Sequence, residues 1–451
     1  MYSKTIRAQA VVVAMTMAMV VTAPIMADTL ALTVTLITPQ AQAAAAPVKL
    51  VLFSHYEKVP PMIGLSQAID EWNKLHPDIR VEHQIVSFDG TWYQKLATQI
   101  AAGQTPDILH IPSIYLADLV GQNVLSPVPD SIIENVIEPH YVPGSLAFTR
   151  YKGKTWGIPT EFQPRALAYN LGLFEKAALP DRSPKDWQEL VTFARKLTRR
   201  TADGNLEVAG FGLWTATWAI NGFMGAYFAF AWSNGADPFA GPDNTQLSLT
   251  STASQEAVEF LAGLNLREKV MSLATTDFIR DKLGMYIAFG PWERGNMLVQ
   301  EAGAWYQQNA RSGLIPPGKT GKPVAPTFGW MFSVSSTTKA AKQAWEFLTW
   351  LNTEAINGTT RMGTVLAQQG SIPVTRKDME GQAVAKEPFM KGFIQALLGG
   401  FVRPDPILPQ QDATMAVVHK HLMQALRGEK PVGNALADAE QEVKTLWRSK
   451  K

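Results

Sequence analysis

Beyond Pro47 the chain alternates between short apolar runs and longer amphipathic stretches. Residues 48–53 are apolar apart from Lys49, which is typical of a strand that is mostly buried on both faces. An amphipathic stretch follows, with apolar residues at the i, i+3, i+4 and i+7 spacing of one helix face: Leu65, Ala68, Ile69 and Trp72. A second strand at 81–85, a second helical stripe at 93–100 and a third strand at 107–111 complete the pattern. The β-α-β-α-β order predicts a parallel sheet with helices on its faces.

The length of 451 residues predicts two or three domains rather than one core. A second domain is expected to begin after Pro159, with a clear helical stripe at 187–197. The aromatic-rich segment 211–239 is either a buried helix or a wall of a binding site. The apolar strand at 285–289 is expected to return to the first domain, and residues 329–335 are expected to cross back.

Composition excludes several classes of function. The net charge of +2 is too small to indicate binding to nucleic acid. Cysteine is absent, which excludes a disulfide scaffold, a catalytic thiol, an iron–sulfur centre and a lipid-modified cysteine. The seven histidines are scattered, so no metal site and no cofactor are expected.

The N-terminal residues predict export. Lys4 and Arg7 precede an uncharged run over 8–27, and a second uncharged stretch reaches Pro47. A small-x-small cleavage site ends at Ala43, and a weaker one ends at Ala27. Residues 1–43 are therefore interpreted as a signal peptide, and the mature protein is expected free in the periplasm. The alternative is an uncleaved anchor, because about 20 apolar residues can span a bilayer.

Two segments place polar and aromatic residues directly after a short apolar strand. In the first, the strand ends at Gly290-Pro291 and Trp292 comes next; in the second, Ile158-Pro159 leads into the polar and aromatic segment 161–170. Open α/β sheets bind ligands just beyond the carboxyl ends of their strands. These two segments are therefore the first candidates for a binding site.

The two segments, together with the stretches 68–77 and 103–109, resemble the extracellular solute-binding proteins of ABC importers, of the maltose-binding type. The resemblance implies an α/β fold of two lobes (type II periplasmic binding protein), each a mainly parallel sheet flanked by helices, with a hinged cleft between them. It implies a first lobe of residues 47–160 and 286–332, and a second of 161–285 and 333–451. Bending is expected near 159–165, 289–290 and 330–335. The implied partners are a carbohydrate and, transiently, the transmembrane permease subunits, with the protein itself a monomer.

Trp292 is the strongest candidate contact, since it stands where the family places a Trp that stacks on a sugar ring. Its alternative role is packing between the lobes. Gln163 lies on the hinge strand where relatives often carry Asp or Glu, and Arg165 completes the same pattern or forms an inter-lobe salt bridge. His55 and His110 each follow a strand and are equally consistent with a hydrogen-bonded strand end. The weaker candidates are Glu57, Asp89 (more often a helix cap), Ser113, Glu161, Trp218, Gly290, Trp330 and Arg403.

Catalytic motifs are missing from the sequence. One phosphate-loop pattern, residues 313–320, contains Pro316 and Pro317, which remove N–H donors, so it is interpreted as a loop between lobes. A secreted glycoside hydrolase would need two carboxylates across a sugar bond, for which Glu57 with Glu161 or Glu293 are the candidates. A second alternative is a receptor for an anionic sugar or a glycerol-phosphate-type solute, which Arg165 and Arg403 keep open.

Overall fold

The computed structural model describes residues 46–448 apart from 90, 215–219, 242–243, 274–276, 300–301, 354, 357 and 382–385. The predicted signal peptide and Trp218 therefore lie outside the described residues. The strands in chain order are β1 (Val48–Ser54), β2 (Ile79–Ile85), β3 (Ile108–Pro112), β4 (Arg150–Tyr151), β5 (Lys154–Thr155), β6 (Ile158–Pro164), β7 (Ala166–Asn170), β8 (Arg199–Arg200), β9 (Leu206–Gly212), β10 (Phe239–Ala240), β11 (Gln246–Leu247), β12 (Met271–Ser272), β13 (Leu283–Ala288), β14 (Ala310–Gly313), β15 (Ala325–Val334), β16 (Ala355–Ile356), β17 (Thr359–Thr360), β18 (Ile372–Pro373) and β19 (Val402–Pro404).

The helices in chain order are α1 (Gly64–Leu75), α2 (Trp92–Ala101), α3 (Leu116–Gly121), α4 (Asp130–Ile132), α5 (Glu138–His140), α6 (Leu171–Lys176), α7 (Trp187–Leu197), α8 (Ile220–Ser233), α9 (Thr252–Leu266), α10 (Glu293–Val299), α11 (Gly303–Asn309), α12 (Ala341–Thr353), α13 (Arg361–Gln369), α14 (Arg376–Gly381), α15 (Lys391–Leu398), α16 (Gln411–Leu426) and α17 (Val432–Arg448). The first helix buries the predicted face of Leu65, Ala68, Ile69 and Trp72.

Two mixed sheets organise these elements. The first sheet has the order β18-β6-β15-β3-β1-β2, with β19 beside β15; the second has the order β12-β9-β13-β7-β14, with β8 beside β9. Strands β1, β2 and β3 are parallel, as the sequence predicts, but β15 runs antiparallel to both β3 and β6. Strand β6 leads from the first sheet to the second, and β15 leads back. The two strands run in opposite directions, so the first sheet is mixed rather than mainly parallel.

The second sheet shows why strand periodicity alone does not assign a strand to a lobe. Its strand β7 is buried on both faces, with Ala166 and Ala168 in the apolar cluster that also holds the first-sheet core. The alternate residues Leu167 and Tyr169 belong to a second cluster around α8 and α16. Both faces are apolar, so the strand pattern is the same wherever the strand pairs.

The predicted lobe boundaries differ from the sheet pairing at two places. Strand β13, which the sequence analysis places in the first lobe, pairs with β7 and β9 of the second sheet. Helix α12, which it places in the second lobe, packs against β15 of the first sheet and against α13. Residues from Ala46 onward cluster as one compact unit, so a division into two lobes at particular residues stays a prediction.

Three connections join the two sheets. The first is Arg165, between β6 and β7; the second is 314–324, between β14 and β15; the third is 405–410, between β19 and α16. The predicted bend at 159–165 contains the first connection. The other two predicted bends, 289–290 and 330–335, do not coincide with connections, since Trp330 and its neighbours lie inside the first sheet. The pattern at 313–320 runs into the second connection, in agreement with its interpretation as a loop.

A buried ion pair fastens the first connection to the third. Arg165 Nη2 lies 3.1 Å from Asp405 Oδ2, and the two side chains are 0% and 7% exposed. The Arg165 amide donates to the carbonyl of Pro326, and the Asp405 amide donates to that of Thr327. Both partners are therefore held at the start of β15, where the second connection ends, and all three connections meet at one point.

The aromatic-rich segment 211–239 is predicted to be either a buried helix or a wall of a binding site. Its helix α8 is buried, since all residues from Gly222 to Ser233 are buried. Its backbone passes close to the ion pair. A Cβ on Gly225 would lie 2.4 Å from Arg165 Nε, so a side chain at this position would displace the guanidinium. Glycine has a low helix propensity, but at this position it leaves room for the Arg165 guanidinium.

We expect Arg165→Met to lower the free energy of unfolding by about 3–5 kcal/mol, because it leaves the Asp405 carboxylate buried without its partner. Urea denaturation followed by circular dichroism measures the change. The control is Lys49→Met, which breaks the exposed Lys49–Glu82 pair (3.5 Å) and should cost less than about 1 kcal/mol. Equal losses in the two variants would contradict the assignment.

Candidate functional site

Buried polar side chains meet on the strand that enters the first connection. Tyr56, which follows β1, donates its hydroxyl to Glu161 Oε1 at 3.1 Å. Gln163 Nε2 donates to Glu161 Oε2 at 2.7 Å and to Ser371 Oγ at 3.1 Å. All four side chains are buried, while the carbonyl oxygen of the Gln163 side chain has no hydrogen-bond partner. The predicted residues Glu161 and Gln163 are thus brought together with two residues that were not predicted.

Burial raises the pKa of Glu161 from 4.5 to about 7, against the opposing effect of its hydrogen bonds to Ser371, Tyr56 and Gln163. Burial outweighs the hydrogen bonds because no described cation pairs with this carboxyl group in an ion pair. Glu161 therefore changes protonation near neutral pH.

The segment after β13 reaches this cluster from the second sheet. A Cβ built on Gly290 would lie 2.5 Å from Gln163 Oε1 and 2.7 Å from Trp292 Cδ1, so a glycine is required for the approach. Trp292 is half-buried, and its ring meets Phe289 edge to face with 5.9 Å between the centroids. Gln163, Gly290 and Trp292 thus form one site that draws on both sheets.

Glu293 fixes the turn that presents Trp292. Its carboxylate accepts hydrogen bonds from the Phe289 amide and, at 2.6 Å, from the Tyr286 hydroxyl. Burial raises the pKa of Glu293 to about 7, opposed by these hydrogen bonds. Both carboxylate oxygens of Glu293 accept hydrogen bonds from residues at or just before this turn, which favours a structural role over that of a catalytic acid.

His55, His110 and Trp330 pack together as aromatic rings. The ring of His55 lies 4.0 Å from that of Trp330 and 5.5 Å from that of His110, measured between centroids. Burial lowers the pKa of His55 to about 3 and that of His110 well below its usual value, so both imidazoles are neutral. Trp330 is 3% exposed inside β15, so its ring forms part of the core beneath the site and not an open platform.

The remaining candidates near the strand ends make local contacts. Asp89 accepts the amide of Thr91 at 2.8 Å and pairs with Lys95 at 3.0 Å, but it does not cap α2, because Thr91 is the residue that directly precedes the helix. Glu57 accepts the Ser87 hydroxyl at 2.6 Å, and the Ser113 hydroxyl accepts the backbone amide of Gly329 at 3.3 Å. Their binding roles stay predictions.

Arg165 forms the first connection, and Arg403 lies on β19 just before the third connection. The Arg165 guanidinium sits 5.1 Å from the rings of both Phe289 and Phe328, in addition to its ion pair. Arg403 Nη2 donates to Asp237 at 2.8 Å, and the guanidinium lies over the ring of Trp232. Arg403 also lines a cavity of about 380 Å³ beside the third connection.

Sequence reasoning missed Tyr56, Ser371, Phe289 and Asp405. Tyr56 could have been found, since it follows β1 directly, next to the predicted His55. Ser371 reaches the cluster because β18 pairs with β6, which places Ile372 opposite Phe162, and no local pattern in the sequence indicates that pairing.

A sequence profile of the bacterial extracellular solute-binding protein family matches residues 60–357, more than half of the chain. The chain belongs to this family. A putative binding protein of Brucella abortus (strain 2308) is 29% identical to this solute-binding protein over 287 residues. That alignment covers 61% of this chain but only 65% of the relative, which is less than two thirds of its length. The sn-glycerol-3-phosphate-binding periplasmic protein of Escherichia coli (strain K12) is 30% identical over 135 residues, 28% of this chain and 30% of the relative.

Solved structures agree with the fold. An ABC substrate-binding protein of Listeria monocytogenes in complex with cycloalternan superposes with a TM-score of 0.73 at 18% identity, covering 89% of this chain and 99% of that chain. The fold is therefore the two-lobed type II periplasmic binding protein fold. Within the described part of the chain, no helix is long and apolar enough to cross a membrane, and no three metal-ligating side chains cluster.

We expect the contribution of Glu161 to the free energy of unfolding to fall as the pH rises from 4.5 through 7, because the folded protein keeps the Glu161 proton that the unfolded chain releases. Glu161→Gln removes this titration. The free energy of unfolding of the variant minus that of wild type should be larger at pH 8 than at pH 5, by up to about 3 kcal/mol. Thermal and urea unfolding at both pH values measure the change.

The Glu57→Gln variant, at a partly exposed carboxylate, is the matched control and should follow wild type. The neutral histidines titrate in an overlapping range with the opposite sign, since His55 and His83 have folded-state pKa values of about 3 and 4 and destabilise the fold as the pH falls below 6.5. Both proteins share this effect, so the difference between wild type and Glu161→Gln reports on Glu161. Parallel curves for wild type and Glu161→Gln between pH 5 and 8 would contradict the prediction.

Proposed function

We propose that this protein is the substrate-binding component of an ABC importer, which captures a carbohydrate between its two lobes and delivers it to the permease. The family match carries this proposal. The site at Gln163, Gly290 and Trp292 supports it, because a half-buried indole beside a buried amide suits the apolar face and the hydroxyl edge of a sugar. The ligand named for the Listeria structure, a cyclic saccharide, is consistent with the same class.

The proposal includes binding without catalysis. A hydrolase needs two carboxyl groups that face each other across a bond and are free to exchange protons. Here Glu161 is held by Tyr56 and Gln163, while Glu293 is held by Tyr286 and the amide of Phe289. Both are engaged inside the protein, which supports a receptor rather than an enzyme.

The location and the partners belong to the same proposal. We infer that residues 1–43 direct export and are removed, so that the mature protein works in the periplasm as a monomer without a lipid anchor. Permease subunits would contact it only transiently. N-terminal sequencing of the exported protein tests the cleavage site, and an intact Met1 would contradict it.

We expect at least one member of a neutral panel (glucose, galactose, maltose, trehalose and cellobiose) to raise the melting temperature and to be recovered chemically unchanged. Trp292→Ala should then weaken binding of that sugar about ten- to hundredfold, since a buried aromatic contact contributes roughly 1.5–3 kcal/mol. Calorimetry measures the dissociation constant Kd.

The matched control is Trp305→Ala, which truncates a partly buried Trp of helix α11 that contacts Phe278 and Asp281. It should leave the Kd unchanged. An unchanged Kd in folded Trp292→Ala protein would reject the stacking role. The proposed function would be rejected if neither the neutral panel nor acidic sugars such as glucose 6-phosphate and glucuronate bound, or if a bound sugar were hydrolysed.

We expect saturating sugar to reduce the radius of gyration measured by small-angle X-ray scattering. A ligand that touches both lobes favours the closed arrangement by its differential contacts. Movement about the point where the three connections meet would leave each sheet intact. A constant radius at a sugar concentration shown by calorimetry to saturate the site would contradict closure.

A further inference from the structure

The cavity beside the third connection is built from parts of both sheets. The β4–β5 hairpin, which precedes the first-sheet strand β6, contributes Arg150, Tyr151 and Lys152. Helix α8, whose apolar residues pack in the cluster of the second sheet, contributes Trp232, and the third connection contributes Asp405. A group bound in this cavity of about 380 Å³ would therefore contact both lobes and one of the connections between them.

The hairpin presents its positive charges through a tight turn. Lys152 and Gly153 both have positive φ, 48° and 74°, as a two-residue hairpin turn with a left-handed backbone at both positions requires. Arg150 and Lys152 are exposed, and no described carboxylate lies within 4.0 Å of either side chain. Among the described residues, no acidic side chain neutralises these two cations.

The other charges at the cavity are paired. Arg403 is paired with Asp237 at 2.8 Å, and Asp405 is paired with Arg165 at 3.1 Å. The charge that remains uncompensated is that of Arg150 and Lys152. A neutral sugar does not use such a charge, whereas a phosphate, sulfate or carboxylate group does.

Trp232 cannot serve as a sugar platform in this arrangement, because both faces of its ring are covered. Phe228 stacks on one face, with 5.0 Å between centroids and 11° between planes, and Arg403 lies 4.1 Å from the ring centroid. The indole instead holds the Arg403 guanidinium in place. A guanidinium held on a ring and oriented by Asp237 retains further N–H donors for an anion.

We propose that this cavity binds the anionic group of an acidic sugar, with Arg150, Lys152 and Arg403 as its ligands. The inference rests on the proposed function, because it takes the solute to be a carbohydrate held between the lobes. It favours the acidic class of sugar over the neutral one. Phosphate, sulfate and carboxylate share the required chemistry.

Calorimetry on the mature protein tests the proposal with glucose 6-phosphate, glucose 6-sulfate and glucuronate as probes, and with glucose as their neutral parent. At least one acidic probe should bind about tenfold or more tightly than glucose. The Arg150→Gln/Lys152→Gln double variant should weaken that probe at least about tenfold, the effect of a lost charge-assisted hydrogen bond, and leave glucose unaffected. Arg403→Gln should weaken it as well.

The matched control is the Lys74→Gln/Lys154→Gln double variant, which removes the same net charge at two exposed lysines that do not line the cavity. It should bind the acidic probe like wild type. Equal losses in the two double variants, or acidic probes that bind no more tightly than glucose, would overturn the inference. If neutral panel sugars bind while the acidic probes do not, the importer receptor stands and only this inference fails; if neither class binds, both fail.

Discussion

The Arg165–Asp405 ion pair is the interaction that fixes the arrangement of the two sheets. Each partner begins a connection between the sheets, and each donates its backbone amide to the start of β15, where the remaining connection ends. Taking two charges out of water is costly, so the pair persists only while both partners stay in register. The pair holds the connections together at this point, which suits the proposed hinge.

The same point ties the hinge to the candidate site. Arg165 packs against Phe289, which directly precedes Gly290, and its Nη1 donates to the Gln163 carbonyl at 3.2 Å. Gln163 in turn contacts the Glu161 carboxyl group. Movement of one lobe relative to the other would therefore displace the groups proposed to contact the sugar, and this would couple binding to the proposed closure.

Buried titratable groups around the site are held in their neutral forms. His55 and His110 are uncharged because their rings are packed against Trp330, away from water. Glu161 is held near its neutral form by the same desolvation, although three hydrogen bonds oppose it. The deep part of the site is thus close to electrically neutral, and uncompensated positive charge is found at the separate cavity beside the third connection.

Local patterns in the chain were enough to predict the first three strands and the buried face of α1, because each depends on periodicity. Trp292 and Gln163 became candidates through the resemblance to the solute-binding family. The folded arrangement was needed to show that β13 belongs to the second sheet, that Ser371 reaches Gln163, and that Asp405 neutralises Arg165. Strands that are apolar on both faces look alike whichever sheet they join. Residue pairs more than 200 positions apart, such as Arg165 with Asp405 and Gln163 with Ser371, leave no pattern along the chain.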